Sequence, residues 1–165
     1  MGAVSDENLT RSFVHKINHL SDVELSYIAG VIDGEGNVEL KMRNARPRDR
    51  SKSGILFTPL VSIANTDGRM IDWLREKIGA GSIWIRQPKH KNHTVCYSLQ
   101  LTSGPLKLLL PKIRDFSVIK KEQIDLVLLA LGHMRSGRKQ ETDFLKEIHV
   151  HIMNLHTKKG GLPDE

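Results

Sequence analysis

The chain has 165 residues, enough for one domain with a substantial core. Its 25 Lys and Arg outnumber 19 Asp and Glu, and a net charge of +6 with pI near 9.5 points modestly to a polyanionic partner. One cysteine, Cys96, excludes an intrachain disulfide and suits a reducing, intracellular setting; no run of eighteen apolar residues could span a membrane, and no signal-peptide pattern opens the sequence.

Residues 1–20 begin polar and become amphipathic through Phe13, Val14, Ile17 and Leu20, which predicts a short helix or arm. Ser21-Asp22-Val23-Glu24 is a capping box, and it opens a helix whose apolar stripe can take Val23, Tyr27, Ile28, Val31 and Ile32. Ala29 and Gly30 are small enough to let another backbone approach. Gly34 and Gly36 are expected to end this helix, since glycine takes a left-handed turn without steric cost. Asp33 and Glu35 sit at that end, where the helix dipole disfavours a carboxylate by a few tenths of a kcal/mol or more. A bound cation turns this penalty into attraction. Carboxylates and unpaired terminal carbonyls are hard oxygen donors of the kind Mg²⁺ prefers.

Residues 37–43 alternate strictly, with Val38, Leu40 and Met42 toward the core and Asn37, Glu39, Lys41 and Arg43 outward. The following loop carries Arg46, Arg48, Arg50 and Lys52 against Asp49 and reads as a phosphate-tracking segment. Ile55 to Ala64 is the returning strand, in which Pro59 marks an edge or a bulge. Asn65-Thr66-Asp67 caps a second helix, with Met70, Ile71, Trp73, Leu74 and Ile78 as its apolar face and Gly79-Ala80-Gly81 as its stop. Ser82 to Gln87 reads as a third strand, and the turn after it holds Arg86, Lys89 and Lys91. Thr94 to Thr102 alternates again. Its polar face (Thr94, Cys96, Ser98, Gln100, Thr102) bears uncharged hydrogen-bonding groups suited to base edges. Pro105 opens a third helix that Pro111 should kink or end. A further helix is expected from about Ser117 to Leu131. After a basic linker, Thr142 caps a last helix with Phe144, Leu145, Ile148, Ile152 and Leu155 as its stripe. His149, His151 and His156 lack the grouping of a closed zinc site.

The order helix, hairpin, helix, hairpin, helix predicts an α+β domain of αββαββα topology. Its four-stranded antiparallel sheet carries helices on one face and leaves the other face polar and basic, as a β-ribbon reader of the major groove requires. The expected boundaries are an N-terminal arm or short helix over 1–20, a single domain over 21–157 and a flexible tail over 158–165.

Ile28 to Gly36 resembles the signature of the LAGLIDADG homing endonucleases. Ala29-Gly30 stands for AG, Ile32-Asp33 for ID and Glu35-Gly36 for the final acid and glycine, with Val31 in place of Leu, Gly34 of Ala and Glu35 of Asp. The αββαββα order is also that family's, and the resemblance covers roughly residues 21–131. It implies an intron-encoded type of enzyme that makes a double-strand break in a long pseudo-palindromic DNA target by metal-dependent phosphodiester hydrolysis. A single motif implies a homodimer, with Tyr27, Ala29 and Gly30 where two motif helices cross. Glu35 is then the metal ligand, helped by the Gly34 carbonyl, while Asp33 is either a further ligand, a helix cap or a salt-bridging group. Mg²⁺ is the implied metal, with Mn²⁺ as a substitute and Ca²⁺ binding without turnover. Lys120, in the segment Ile119 to Leu126, matches the family's active-site lysine and would stabilise charge on the phosphorane or orient the attacking water. The polar helper of the second strand falls on Ala64 or Asn65, and its arginine companion on Gly68 or Arg69. The implied partners are double-stranded DNA and a second copy of the chain. Intron RNA is the partner under an alternative reading as a maturase. A nuclease-dead DNA-binding regulator is the other alternative, and retention of Glu35 and Lys120 speaks against it.

Overall fold

A computed structural model describes residues 6–49, 51, 53–88, 94–134 and 141–157. Helix α1 (Asp6–Asn18) precedes α2 (Asp22–Glu35), which runs directly into the hairpin of β1 (Gly36–Asn44) and β2 (Ile55–Asn65). Helix α3 (Gly68–Ile78) leads to a second hairpin, β3 (Ser82–Arg86) and β4 (Cys96–Thr102), followed by α4 (Ser103–Ile113), α5 (Lys121–His133) and α6 (Glu141–Thr157). The strands form one antiparallel sheet in the order β1-β2-β4-β3, so the second strand of each hairpin is central. Val38, Leu40, Val61, Ile63, Leu99 and Leu101 are fully or almost fully buried on one face, against helical side chains such as Ile28, Ile71, Leu109 and Ile124. Each such side chain contributes about 1.5–3 kcal/mol of transfer free energy. Ile17 of α1 is wholly buried in the same cluster.

The capping box at α2 is present. Ser21 Oγ accepts from the Glu24 backbone N–H at 3.3 Å, and Glu24 Oε2 accepts from the Ser21 N–H at 2.9 Å. Lys77 of α3 lies 2.7 Å from the Glu24 carboxylate and, with the Ser21 groups, pulls that carboxyl down to about 2. The other end of α2 departs from expectation. Neither Gly34 nor Gly36 takes a left-handed turn; Gly36 is extended, at φ −88° and ψ 155°. Gly36 is needed for a different reason: a Cβ there would lie 2.6 Å from the Ile32 carbonyl oxygen and 2.8 Å from Ile32 Cα. The missing side chain lets the helix turn at once into β1.

Pro59 sits in a central strand, yet its surroundings are locally those of an edge. Strand β2 pairs with β1 over its first nine residues but meets β4 only from Leu60 onward, so at Pro59 it has one neighbour. Helix α4 continues past Pro111 to Ile113, because a proline in the last turn removes only its own N–H bond and Arg114 N still donates to the Leu110 carbonyl. Helix α5 begins at Lys121, four residues later than the apolar pattern suggests, because the backbone N–H groups before it are engaged elsewhere. Helix α6 packs along the outer strand β1. His149 Nδ1 donates to the Leu40 carbonyl at 2.7 Å and His156 Nε2 to the Val38 carbonyl at 3.2 Å, which closes part of an otherwise open sheet edge.

Candidate nuclease site and nucleic-acid interface

Helix α2 is apolar on two sides. Leu25, Ile28, Ala29 and Ile32 are buried in the core, while Val23 is 79% and Tyr27 50% exposed. Ala29 therefore lines the protein's own interior and not the outer surface. Gly30 and Gly34 are open to the outside, where a methyl group at either would meet no atom within 4 Å. Tyr27 stands edge-on to Trp73 with ring centroids 5.0 Å apart, which places Trp73 at the core margin as expected. The turn held by Asp33 of α2 exposes Val118 (86%) and Ile119 (70%).

That turn is organised by Asp33. Its carboxylate accepts from Ser117 Oγ at 2.5 Å and from the backbone N–H groups of Val118, Ile119 and Lys120 at 2.6, 3.1 and 3.0 Å. Three successive N–H groups converging on one carboxylate form an anion nest, filled here by the protein itself. Burial pushes the Asp33 carboxyl up, but the Ser117 hydroxyl and the three N–H groups outweigh it and hold it below the ordinary aspartate value. Four protein donors occupy this carboxylate, three of them backbone N–H groups just before α5. The turn also delivers Lys120, whose Nζ donates to the Asp33 carbonyl at 2.7 Å. Burial pushes the Lys120 ammonium below the usual lysine range, against the opposing pull of Asp33 and Glu35.

Glu35 ends α2 two residues after Asp33. It is exposed, beside the exposed Gly34, and makes no hydrogen bond or ion pair with any described residue. Its carboxylate and the Gly34 carbonyl are hard oxygen donors, a set that fits a divalent cation completed by waters and a substrate phosphate. Among the described residues no three His, Cys, Asp or Glu side chains converge.

Strand register separates the two candidate positions, Ala64 and Asn65. Ala64 pairs with Ser98 on the polar face of the sheet, whereas Asn65 pairs with Tyr97 and uses its Oδ1 to accept from the Asp67 N–H at 2.8 Å. Arg69 is drawn to Asp67, the N-cap of α3, at 2.6 Å. Asn65 and Arg69 thus both serve the start of α3.

The polar face carries the expected outward residues. Asn37 lies in a row with Ser62, Gln100 and Ser82, and Lys41 is opposite Thr58. Glu39 lies 3.7 Å from Lys41. Arg43 is paired with Asp49 at 2.6 Å, which pulls the Asp49 carboxyl down to about 2, so one cation of this loop is already neutralised. Arg46, Arg48 and Arg86 are exposed. Arg50, Lys52, Lys89 and Lys91 lie outside the described residues. Two features of this face had no signal in a strand pattern alone. Leu60 is buried on it outside the main core, and Trp84 stands 62% exposed on it, in the row of Ala64 and Ser98.

No protein-family model and no curated protein matches the chain. Solved structures do. The homing endonuclease I-CvuI, in complex with the I-CreI target in the presence of Mg, is 13% identical, with a TM-score of 0.69 over 85% of this chain and 86% of that one. The archaeal intron-encoded homing endonuclease I-Vdi141I, complexed with DNA, is 19% identical, with a TM-score of 0.67 over 87% of this chain and 90% of that one. The LAGLIDADG homing endonuclease I-SmaMI, bound to cleaved DNA, is 23% identical, with a TM-score of 0.59 over 85% of this chain but only 45% of that one. Likeness at such low identity is likeness of architecture, and it agrees with the topology expected from the sequence. The chain has the fold of the LAGLIDADG homing endonucleases.

Proposed function

We propose that the chain is a site-specific DNA endonuclease that acts as a homodimer with Mg²⁺. The observation that carries this reading is the pairing of an unengaged carboxylate, Glu35, with a partly buried lysine, Lys120, at the end of α2, where the chain enters a polar and cationic sheet face. The sheet face seats the major groove. Its outward Asn, Ser, Gln, Lys and Arg side chains reach base edges and phosphates. Lys120, held in place by Asp33, neutralises charge that develops on the phosphate in the transition state or orients the attacking water. Glu35 and the Gly34 carbonyl would hold the divalent cation. The chemistry a bound Mg²⁺ supplies is polarisation of the scissile phosphate and of a water.

Two features support a dimer. The outward face of α2 is apolar and small (Val23, Tyr27, Gly30, Gly34), and a helix apolar on both sides needs cover on both. The chain also spans about half the length of I-SmaMI. Two-fold symmetry would bring a second Glu35 and Lys120 beside the first and give the target its pseudo-palindrome.

The test is cleavage of a randomised double-stranded DNA library, with Mg²⁺ and with EDTA, by the wild type and by Glu35→Gln. Metal-dependent double-strand cuts at one pseudo-palindromic sequence are expected, abolished in Glu35→Gln while sequence-selective binding persists. Selective binding with no cutting by the wild type would point instead to a regulator. Neither binding nor cutting would remove DNA as the substrate and leave intron RNA to be tried.

A further inference from the structure

The polar face is not uniformly polar. Register places Ala64, Ser98 and Trp84 in one row across β2, β4 and β3, and Ser62, Gln100 and Ser82 in the next. All of these but Ser82, with Ile85, Arg86 and Cys96, line one concavity on the sheet. The small side chains of Ala64, Ser62 and Ser98 form its floor. Trp84, 62% exposed, forms an apolar wall, and Gln100 brings an amide diagonal to that wall, roughly 7–8 Å away between strands. A tryptophan left this exposed forgoes about 2 kcal/mol or more of burial in the isolated chain, which a partner seated on the sheet would recover.

Trp84 and Gln100, taken together, discriminate among the four base pairs. In the major groove only thymine offers a methyl group to an apolar wall, and only adenine offers the adjacent acceptor and donor that a glutamine amide can engage bidentately. An A·T pair satisfies Trp84 and Gln100 together. A G·C pair offers no methyl, and its guanine presents two acceptors where Gln100 has one donor group to give. We propose that Trp84, backed by Ala64, reads a thymine methyl while Gln100 reads the adenine paired with it, so that one A·T pair is specified in each half-site. This rests on the reading of the sheet as a DNA-binding face.

The experiment uses the target recovered by the cleavage selection and replaces each thymine in turn by deoxyuridine, which removes only the methyl group. Binding is measured by fluorescence anisotropy for the wild type, Trp84→Ser and Trp84→Phe, each checked for an unchanged melting temperature. One thymine in each half-site is expected to be methyl-sensitive in the wild type, weakening binding roughly three- to five-fold per half-site when replaced. Trp84→Ser should bind the thymine and deoxyuridine targets equally, and Trp84→Phe should retain the difference. A wild type that selects a target but senses no methyl group, or a Trp84→Ser variant that keeps the full difference, overturns this assignment and leaves the nuclease reading standing. A protein that selects no sequence at all overturns both.

Discussion

Asp33 and Glu35 are two carboxylates on the same helix end, yet they meet different surroundings. Successive helical residues are rotated by about 100°, so two positions apart they project to opposite sides. Asp33 turns under residues 117–120 and is saturated with donors, while Glu35 stays in the open. Asp33→Asn removes the charge and half of the acceptor capacity from three backbone N–H groups and a hydroxyl. It should cost about 2 kcal/mol, read as a lower urea midpoint. The pH dependence has a definite sign. The folded-state pKa of Asp33 is depressed, so its contribution is fully present above the unfolded aspartate value of about 4 and fades as pH falls through the lower folded value. The stability gap between wild type and Asp33→Asn should therefore narrow as pH drops below about 4. A gap that stays constant down to pH 2 would remove the anion nest as its cause. Catalysis should fall with stability at neutral pH, since the turn that Asp33 holds also carries Lys120.

At the scale of elements, α6 does more than add a hydrophobic stripe. Leu145, Ile148 and Ile152 are buried, but His149 and His156 reach the outward carbonyls of β1. The pair His149→Leu and His156→Leu keeps the apolar packing and leaves the Leu40 and Val38 carbonyls without these partners. It should cost roughly 1–3 kcal/mol in total and quicken amide exchange along β1 relative to β4. Equal exchange in the two strands would mean that α6 protects the edge by coverage alone. The first hairpin loop shows a related economy. Arg43 is pinned by Asp49, so the exposed Arg46 and Arg48 are better placed than Arg43 to track a phosphate backbone.

At the scale of the whole molecule, the proposed dimer rests on the exposed side of α2. Gly30 offers a clean test, because a side chain there meets nothing within 4 Å in a single chain. Gly30→Glu should leave the melting temperature of the monomer unchanged or slightly raised, since glycine inside a helix costs about 0.5–1 kcal/mol relative to alanine. It should convert a dimer to a monomer in sedimentation and abolish double-strand cutting. A Gly30→Glu protein that still sediments as a dimer would move the interface off this helix.

Much of this architecture was legible in the sequence because its causes are local. A capping box, strict alternation over 37–43 and 94–102, and the nine-residue motif each depend on neighbours a few positions apart, and each leads to the element found. The parts that were not legible depend on groups far away in the chain. The donors of Asp33 lie 84 to 87 residues downstream, and no periodicity around Asp33 reports them. Which of Ala64 and Asn65 faces the polar side is a matter of strand register, where a shift of one residue reverses every side chain. That Ala29 turns inward while Gly30 turns outward follows from how α2 packs on the sheet, and the composition of a helix apolar on two sides cannot tell one side from the other. The sequence by itself determined the elements, their order and the acids that end α2. The tertiary structure decided which of those acids is held and which is left open, and it set Trp84 beside Ser98 and diagonal to Gln100, because both depend on long-range pairing rather than on local pattern.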